Sequence, residues 1–245
     1  MSYKFATENI NYEDYSSGRV LYNQHGTTSF PVRLTSEIFQ RCTNILKQDG
    51  NLGPYSIYDP CCGGAYLLTT IGYLFGEDIL KIYGSDVDTT VLELAKKNLS
   101  LLTEEGLKNR AEQIRQMISE YGKESHNEAL QSSLKLMNTI KHMSHRININ
   151  CFTSDATKPN NINKIDPIDI VITDLPYGKI VDWIGSSNED EAIFNLLDNM
   201  LTKLSNNAVV AIVSRKKISI NHPKYKRVDH FKIGKRQIIL LRPLL

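Results

Sequence analysis

The sequence predicts an α/β fold in which a mostly parallel, seven-stranded sheet carries helices on both faces. Strand-like and helix-like segments alternate along the chain of 245 residues, and 41% of its residues are apolar. Parallel strands need long crossover connections, usually helices, and these connections cover both faces of the sheet. The expected strands cover residues 55–59, 81–86, 149–154, 169–174, 208–214, 227–232 and 236–242.

The first 50 residues are expected to form an arm and one helix, ahead of a main domain over residues 51–245. Residues 1–30 are polar and rich in Tyr and Asn, which predicts an irregular or partly ordered arm. A helix from Glu37 to about Lys47 follows, with Thr35 or Ser36 as its N-cap. Further helices are predicted over residues 64–75, 89–101 and 190–204, with Asp88 as the N-cap of the second of these.

Residues 103–146 predict a helical hairpin inserted into the α/β unit. Apolar residues from Leu107 to Tyr121 keep helical spacing, and a second amphipathic run extends from Leu130 to Ile140. Ser125 and Glu128 have the spacing of a capping box at the start of the second helix. The sequence leaves open whether this hairpin serves packing, dimerisation or substrate contact.

Composition argues against membrane insertion, metal binding and disulfide bonds. No apolar run approaches the roughly 20 residues that span a bilayer, and the N-terminal segment lacks a signal pattern, so a cytoplasmic protein is expected. The four cysteines show neither C-x-x-C spacing nor a partner motif such as H-E-x-x-H. Free, mostly buried thiols are therefore predicted.

Charge is distributed unevenly along the chain. The whole sequence has 29 basic and 27 acidic residues, yet ten Lys or Arg and a single acid lie from Ser214 onward. A basic end on an acidic body indicates a polyanionic partner on one face. Lysines that protect an edge strand from aggregation explain the same pattern equally well. The residues considered for a polyanion are Arg215, Lys216, Lys217, Lys235 and Arg236.

The segment "YDPCCGGAYLL" predicts a strand, a glycine turn and a helix start. Gly63 and Gly64 let the backbone approach a ligand and present N–H groups to it. The G-x-G-x-x-G dinucleotide fingerprint is absent, which disfavours an NAD-linked oxidoreductase. Asp86, at the tip of the next strand, could accept both hydroxyls of a ribose.

A third acid follows the third predicted strand. Asp155 could accept from an adenine amino group, although a turn acid explains it equally well in isolation. Together with Asp59 and Asp86, it places three acids on strand tips around a glycine turn. This set predicts a pocket for an adenosine compound with little or no phosphate, because no Walker lysine motif is present.

The strand "DIVITD" ends in the rigid tip "DLPY", formed by Asp174, Leu175, Pro176 and Tyr177. Ligands of such sheets bind beyond the carboxyl ends of the strands. Pro176 restricts Leu175 to an extended conformation, so the Leu175 carbonyl and the Asp174 carboxylate form adjacent acceptors. The ring of Tyr177 offers a stacking face, and the tip therefore suits an exocyclic amine on a nucleobase.

These motifs resemble those of class I S-adenosylmethionine-dependent methyltransferases, which have a Rossmann-like fold. More narrowly, residues 30–240 resemble the avilamycin-resistance 23S rRNA guanine-N2 methyltransferases. "DLPY" is similar to the (N/D)-P-P-Y motif of amino-group methyltransferases, whereas Ala65 replaces a usual glycine and should still fit if its φ is negative. The resemblance implies that the methionine end of the cofactor is lined by Asp59, Cys62, Gly63, Gly64 and Ala65. It implies Asp86 on the ribose, Asp155 on the adenine and Arg33 near the cofactor carboxylate.

The sequence as a whole predicts methyl transfer from S-adenosylmethionine to the N2 amine of a guanosine in 23S rRNA. An aspartate at 174 favours guanine, since a carboxylate accepts from both N1–H and N2–H, whereas adenine presents a lone pair at N1. The alternatives are an adenine-N6 methyltransferase acting on nucleic acid and a non-catalytic RNA-binding module that keeps the cofactor pocket. Thermal-shift assays with S-adenosylmethionine and NAD would separate the ligand classes.

Overall fold

A computed structural model describes residues 3–24, 29–159, 165–176 and 189–244. Its centre is a seven-stranded sheet with the strand order β3-β2-β1-β4-β5-β7-β6. The strands are β1 (Tyr55–Asp59), β2 (Ile79–Asp86), β3 (Asn148–Thr153), β4 (Ile168–Asp174), β5 (Leu204–Ser214), β6 (Tyr225–Ile233) and β7 (Arg236–Pro243).

The sheet is mostly parallel, as predicted. Strands β1 to β5 pair with their neighbours in parallel, and β7 alone runs against the rest, antiparallel to both β5 and β6. The carboxyl ends of the parallel strands therefore meet at one edge of the sheet, which is where ligands of such folds bind.

Helices cover both faces of the sheet. They are α1 (Val32–Gln48), α2 (Tyr66–Phe75), α3 (Thr89–Ser100), α4 (Glu104–Tyr121), α5 (Glu124–Lys141) and α6 (Glu189–Met200). One apolar cluster joins α1, α2 and α3 to one face, whereas the other joins α6 to the opposite face. Ile170 and Ile172 of β4 belong to the first cluster and Val171 to the second, because successive residues of a strand point to opposite faces.

Three predicted helix boundaries are wrong. Helix α1 begins at Val32 after Pro31, and Thr35 and Ser36 lie buried inside it instead of capping it. Pro31 is extended and its carbonyl accepts from Thr35, so the helix starts five residues earlier than predicted. At the other boundaries, α2 begins two residues late, and α6 ends at Met200 because β5 already begins at Leu204.

Helices α4 and α5 form the predicted hairpin, but its capping box does not form. Gly122 has a left-handed φ of 59° and ends α4, so the chain turns within two residues. Helix α5 then begins at Glu124 with Lys123 as N-cap, which places Ser125 inside the helix. Glu128 instead accepts from Arg19 of the arm at 2.6 Å.

The arm packs against α1 and the hairpin. The Glu37 carboxylate, fully buried in α1, accepts from the backbone N–H groups of Lys4, Phe5 and Ala6 at 2.8–2.9 Å. Further along, the hydroxyl of Ser132 in α5 donates to Asp14 at 2.6 Å. The described part of the arm is therefore ordered by side chains of the main body.

Candidate active site

The last residues of β1 and β2 place two carboxylates at the carboxyl edge of the sheet. Asp59 ends β1 and Asp86 ends β2, as the sequence predicts. Asp59 is 3% exposed and accepts from the N–H of Cys61 at 3.1 Å. Asp86 accepts from the N–H groups of Gly63 and Asp88 at 2.9 and 3.0 Å. Each carboxylate therefore holds a backbone turn beside it.

Burial raises the pKa of Asp59 to about 7, and the charges of Asp86 and Asp174 act in the same direction. The N–H of Cys61 and the hydroxyl of Thr173 act against this rise. Burial also raises the pKa of Asp86 above its ordinary value, although hydrogen bonds from the backbone lower it. The charges of the acids that end β2 and β4 thus act on the acid that ends β1.

The turn between β1 and α2 has a left-handed backbone at two positions. Gly63 has a φ of 52° and Ala65 a φ of 55°, so the negative φ under which Ala65 was expected to fit is not met. The N–H of Ala65 donates to the carbonyl of Cys62 at 2.8 Å, which closes a tight turn, and Ala65 is fully buried. Left-handed backbone costs an L-residue about 1–2 kcal/mol, so the surrounding contacts maintain this turn.

Gly63 and Gly64 are needed for different reasons. A Cβ on Gly63 would meet no atom within 4 Å, so open space lies over this residue. A Cβ on Gly64 would lie 2.8 Å from the ring of Tyr66 and 2.9 Å from Leu94. Gly64 therefore allows α3 to pack on the turn, whereas Gly63 leaves room for a ligand beside Asp86. This open, carboxylate-flanked turn fits the predicted adenosine-type cofactor.

Cys62 ties the turn to β2. Its N–H donates to the carbonyl of Ser85 at 2.9 Å, and its sulfur packs over Gly84, 3.2 Å from the place that a Cβ would take. Cys62 is 7% exposed, and all four cysteines are free, as predicted.

The arm also contacts the glycine turn, a feature that the sequence did not indicate. The side-chain amide of Asn98, fully buried in α3, accepts from the N–H of Tyr22 at 2.8 Å and donates to the Tyr22 carbonyl at 3.2 Å. The same amide donates to the carbonyl of Gly64 at 2.8 Å. The hydroxyl of Tyr66 donates to Asn23 at 3.1 Å. The only local signal was an asparagine at a core position of an amphipathic helix.

Asp155 follows β3 and lies near the tip of β2. The N–H of Ser154 donates to the carbonyl of Asp86 at 3.0 Å, which joins the ends of the two strands. Burial acts to raise the pKa of Asp155, but hydrogen bonds from Thr157 and the charge of Lys158 hold it below its usual value. These contacts make Asp155 a turn acid, and its contact with adenine stays a prediction.

Asp174 ends β4, and Leu175 continues the pairing with β5. The N–H of Leu175 donates to the carbonyl of Val213 at 2.9 Å, and its side chain is buried. The Asp174 carboxylate is 22% exposed and lies 4.0 Å from Nε of Arg236. Pro176 is the last described residue of the tip, and Tyr177 lies outside the described residues.

The basic residues singled out from the sequence lie at the edge that carries Asp174. Val213 pairs with Asp174, so the residues that follow β5 extend from that edge. Because β7 runs the opposite way and Gln237 pairs with Ser214, the turn before β7 reaches the same edge. Arg215, Lys216, Lys217 and Lys235 are exposed there, whereas Arg236 is largely buried beside Asp174. Lys216 is also 3.2 Å from Glu189.

Arg33 holds the arm. Its Nε donates to the carbonyl of Ala6 at 2.9 Å, its Nη2 donates to that of Thr7 at 3.1 Å, and its guanidinium lies 4.2 Å from the ring centroid of Tyr3. These contacts give Arg33 a structural role, and contact with a cofactor carboxylate stays a prediction.

The described residues offer neither a membrane-spanning helix nor a metal site. No helix within residues 3–24, 29–159, 165–176 and 189–244 is long and apolar enough to cross a membrane. The same ranges contain no group of three or more His, Cys, Asp or Glu side chains that could hold a metal ion.

Comparison with known proteins identifies the family. A family model described as "rRNA methyltransferase AviRa" matches residues 1–236. The chain belongs to this family. It is an S-adenosylmethionine-dependent rRNA methyltransferase, and the turn and acids described above lie where the cofactor of this fold is expected.

Similar proteins support this assignment over the whole chain. The "23S rRNA (guanine(2535)-N(1))-methyltransferase" of Streptomyces viridochromogenes is 35% identical over 98% of this chain and 96% of the relative. The solved structure of rRNA methyltransferase aviRa from the same organism has a TM-score of 0.90 at 34% identity, and the match covers 100% of this chain and 97% of that one. The N-terminal domain of human METTL16 in complex with SAH shares only the fold, with a TM-score of 0.50 at 14% identity over 89% and 73% of the two chains.

Proposed function

We propose that the chain methylates the Watson–Crick edge of one guanosine in 23S rRNA, with N1 as the acceptor atom. The observation that carries this proposal is the carboxylate of Asp174 at the carboxyl edge of the sheet, beside the glycine turn and its acids. The name of the Streptomyces relative, which specifies guanine N1, supports the choice of base and atom.

Asp174 supplies what N1 chemistry requires. Neutral guanine has a proton on N1, and the N1 lone pair is delocalised into the ring, so this proton must leave for N1 to attack. A carboxylate can take the proton, whereas an asparagine at the same place could only accept a hydrogen bond. When bound, S-adenosylmethionine supplies an electrophilic methyl group and leaves as S-adenosylhomocysteine. Asp174 therefore acts as the general base and aims N1 at the methyl group.

N2 is the second candidate, and the D-L-P-Y tip favours it. The carboxylate of Asp174 and the carbonyl of Leu175 would accept the two amine hydrogens and turn the lone pair towards the methyl group. Pro176 and the hydrogen bond from the N–H of Leu175 to Val213 hold the tip in place for either atom. The ring of Tyr177 would stack on the flipped base, contributing about 1–3 kcal/mol.

The remaining site residues keep the roles that the sequence predicts for them. Asp86 would accept from the ribose hydroxyls, and Asp155 would accept from the adenine amine. The turn formed by Asp59, Cys62, Gly63, Gly64 and Ala65 would hold the methionine end of the cofactor, and Arg33 is the candidate for its carboxylate. The exposed bases Arg215, Lys216, Lys217 and Lys235 contact RNA phosphates.

An inosine substitution distinguishes the two acceptor atoms. Inosine keeps N1–H and O6 but lacks the N2 amine, so an N1 enzyme methylates it and an N2 enzyme cannot. The purified protein would be incubated with labelled cofactor and an rRNA fragment that has guanosine or inosine at the target nucleotide. Formation of 1-methylinosine supports N1, whereas label on guanosine alone, as N2-methylguanosine, supports N2. Label in N6-methyladenosine would overturn both.

Asp174→Asn provides an independent test of the base. This variant keeps a hydrogen-bond acceptor but cannot take a proton, so N1 transfer should fall by about 100-fold or more, within the range for general bases. Affinity for S-adenosylhomocysteine, measured by calorimetry, should remain close to that of the wild type. Activity within a few-fold of the wild type would exclude Asp174 as the base and leave N2 as the acceptor.

A further inference from the structure

Arg236 differs from the other four basic residues considered for a polyanion, which are all exposed. Its side chain is 14% exposed, and its guanidinium lies 5.1 Å from the ring centroid of Phe30. Its Nε is 4.0 Å from Oδ2 of Asp174, a separation that permits charge attraction but no direct hydrogen bond. A phosphate-binding residue normally extends into solvent, so this position argues for another role.

The reversed direction of β7 brings Arg236 to the carboxyl edge of the sheet, where Asp174 lies. Asp174 pairs with Val213 of β5, and Val213 pairs with Ile238 of β7. Arg236 begins β7 two residues before this pair, so its side chain starts near the tip of β4. Ring contact with the buried Phe30 holds the guanidinium in this place.

The guanidinium has donor capacity that the protein does not use. Arginine has five N–H donors. Within the described ranges, the Arg236 guanidinium makes no hydrogen bond, and its Nε is shielded from solvent on the side of Asp174. Its Nη groups are not shielded in this way, so they are the donors that an acceptor on the substrate can reach.

We propose that Arg236 donates a hydrogen bond to O6 of the target guanine while Asp174 accepts from N1–H or N2–H; this inference rests on the proposed function. The Watson–Crick edge of guanine presents two donors, N2–H and N1–H, followed by the acceptor O6. A carboxylate with a guanidinium 4.0 Å away presents acceptors followed by a donor, which is the complementary order. Adenine presents an acceptor at N1 and a donor at N6, so both contacts would be mismatched.

The contact would also assist the reaction. When N1 loses its proton to Asp174, the negative charge spreads from N1 to O6. A guanidinium at O6 stabilises this charge as it develops, in the manner of an oxyanion hole. Arg236 is therefore a catalytic residue that also selects the base.

The test combines a change in the enzyme with a change of one substrate atom. Methylation rates would be measured for the wild type and Arg236→Gln, on rRNA fragments that have guanosine or 6-thioguanosine at the target nucleotide. Sulfur is a much weaker acceptor than oxygen, so wild-type kcat should fall when O6 is replaced. Arg236→Gln should lower kcat on guanosine by about 10- to 100-fold, the value of a charge-assisted hydrogen bond. The kcat of Arg236→Gln should fall little further when guanosine is replaced by 6-thioguanosine, because this variant already lacks the contact with O6.

Lys235→Gln is the contrasting variant at the neighbouring, exposed position. It should raise KM for RNA and change the salt dependence of binding, whereas Arg236→Gln should act on kcat. Arg236→Lys keeps the charge and should recover part of the lost kcat. Calorimetry with S-adenosylhomocysteine and thermal denaturation would show that each variant is folded.

The outcomes separate the two proposals. No methylation of guanosine by the wild type overturns the proposed function and this inference together. Methylation with equal fractional losses for 6-thioguanosine in wild type and variant overturns the role of Arg236 alone. A wild-type rate that rises or does not change on 6-thioguanosine, while Arg236→Gln changes only KM, assigns Arg236 to phosphate contact and also overturns the inference.

Discussion

Replacing Asn98 by alanine should loosen the turn that holds the cofactor and lower the stability of the protein. The Asn98 amide makes three hydrogen bonds in a fully buried position, two with the backbone of Tyr22 and one with the carbonyl of Gly64. At about 1 kcal/mol for each lost bond, the free energy of unfolding should fall by about 3 kcal/mol. For a chain of this size, Tm should fall by about 6–12 °C.

The effect should reach the cofactor because one of the three bonds goes to the glycine turn. Calorimetry should show a weaker Kd for S-adenosylhomocysteine in Asn98→Ala, and thermal denaturation should show the loss of stability. Ser132→Ala is the matched control, since it removes a bond to Asp14 of the arm that does not involve the glycine turn. This control should cost about 1 kcal/mol and leave the affinity for S-adenosylhomocysteine unchanged.

Two results would refute this reasoning. Wild-type affinity for S-adenosylhomocysteine in Asn98→Ala, despite a lower Tm, would mean that the arm does not support the turn. A fall in Tm below about 2 °C would mean that the three bonds contribute far less than buried bonds of this kind usually do.

Three further predictions concern the acids, the turn and the basic edge. Burial raises the pKa of Asp59 above its unfolded value, so the native state binds more protons and the contribution of Asp59 to stability falls as pH rises to about 7. Asp59→Asn should therefore reduce the pH dependence of the unfolding free energy by up to about 1.4 kcal/mol per pH unit between pH 5 and 7. Denaturant unfolding at several pH values would measure this, and equal pH dependence in the two proteins would contradict the shift. Gly63→Ala should cost about 1–2 kcal/mol of stability from its positive φ and also weaken S-adenosylhomocysteine binding, whereas Gly122→Ala, with a similar φ and equally open space, should cost the same and leave binding intact. Neutralising Lys217 and Lys235 should reduce the log–log salt slope of RNA binding by about 0.7–0.9 per lost contact, and an unchanged slope and affinity would restrict them to protecting the sheet edge.

Features with local signals were predicted well from the sequence. The buried strands ending in Asp59, Asp86 and Asp174 combine a short apolar run with a terminal acid, and parallel pairing brings such ends to one edge. Asp88 caps α3 as predicted, accepting from the N–H groups of Thr90 and Val91. The local spacing of these residues determines where they lie in the fold.

Features that depend on distant residues were missed. The amide of Asn98 contacts residues 76 and 34 positions away, which no local pattern encodes. The positive φ of Ala65 runs against the preference of an L-residue and depends on packing around the turn, which the sequence does not show. Arg236 was grouped with the exposed bases because sequence shows its charge and not its burial.

The contacts of the arm impose an order on folding. Glu37 binds Lys4 and Ala6, which lie about 30 positions earlier in the sequence. Helix α1 can therefore hold this first part of the arm as soon as residue 37 has been synthesised. The bonds between Ser132 and Asp14 and between Arg19 and Glu128 span 118 and 109 residues, so they close large loops. Loop closure over such distances slows the formation of contacts. The part of the arm around Asp14 and Arg19 should therefore dock late, after the helical hairpin has formed. The glycine turn at residues 62–65, which the arm contacts, should reach its final form only in that last step.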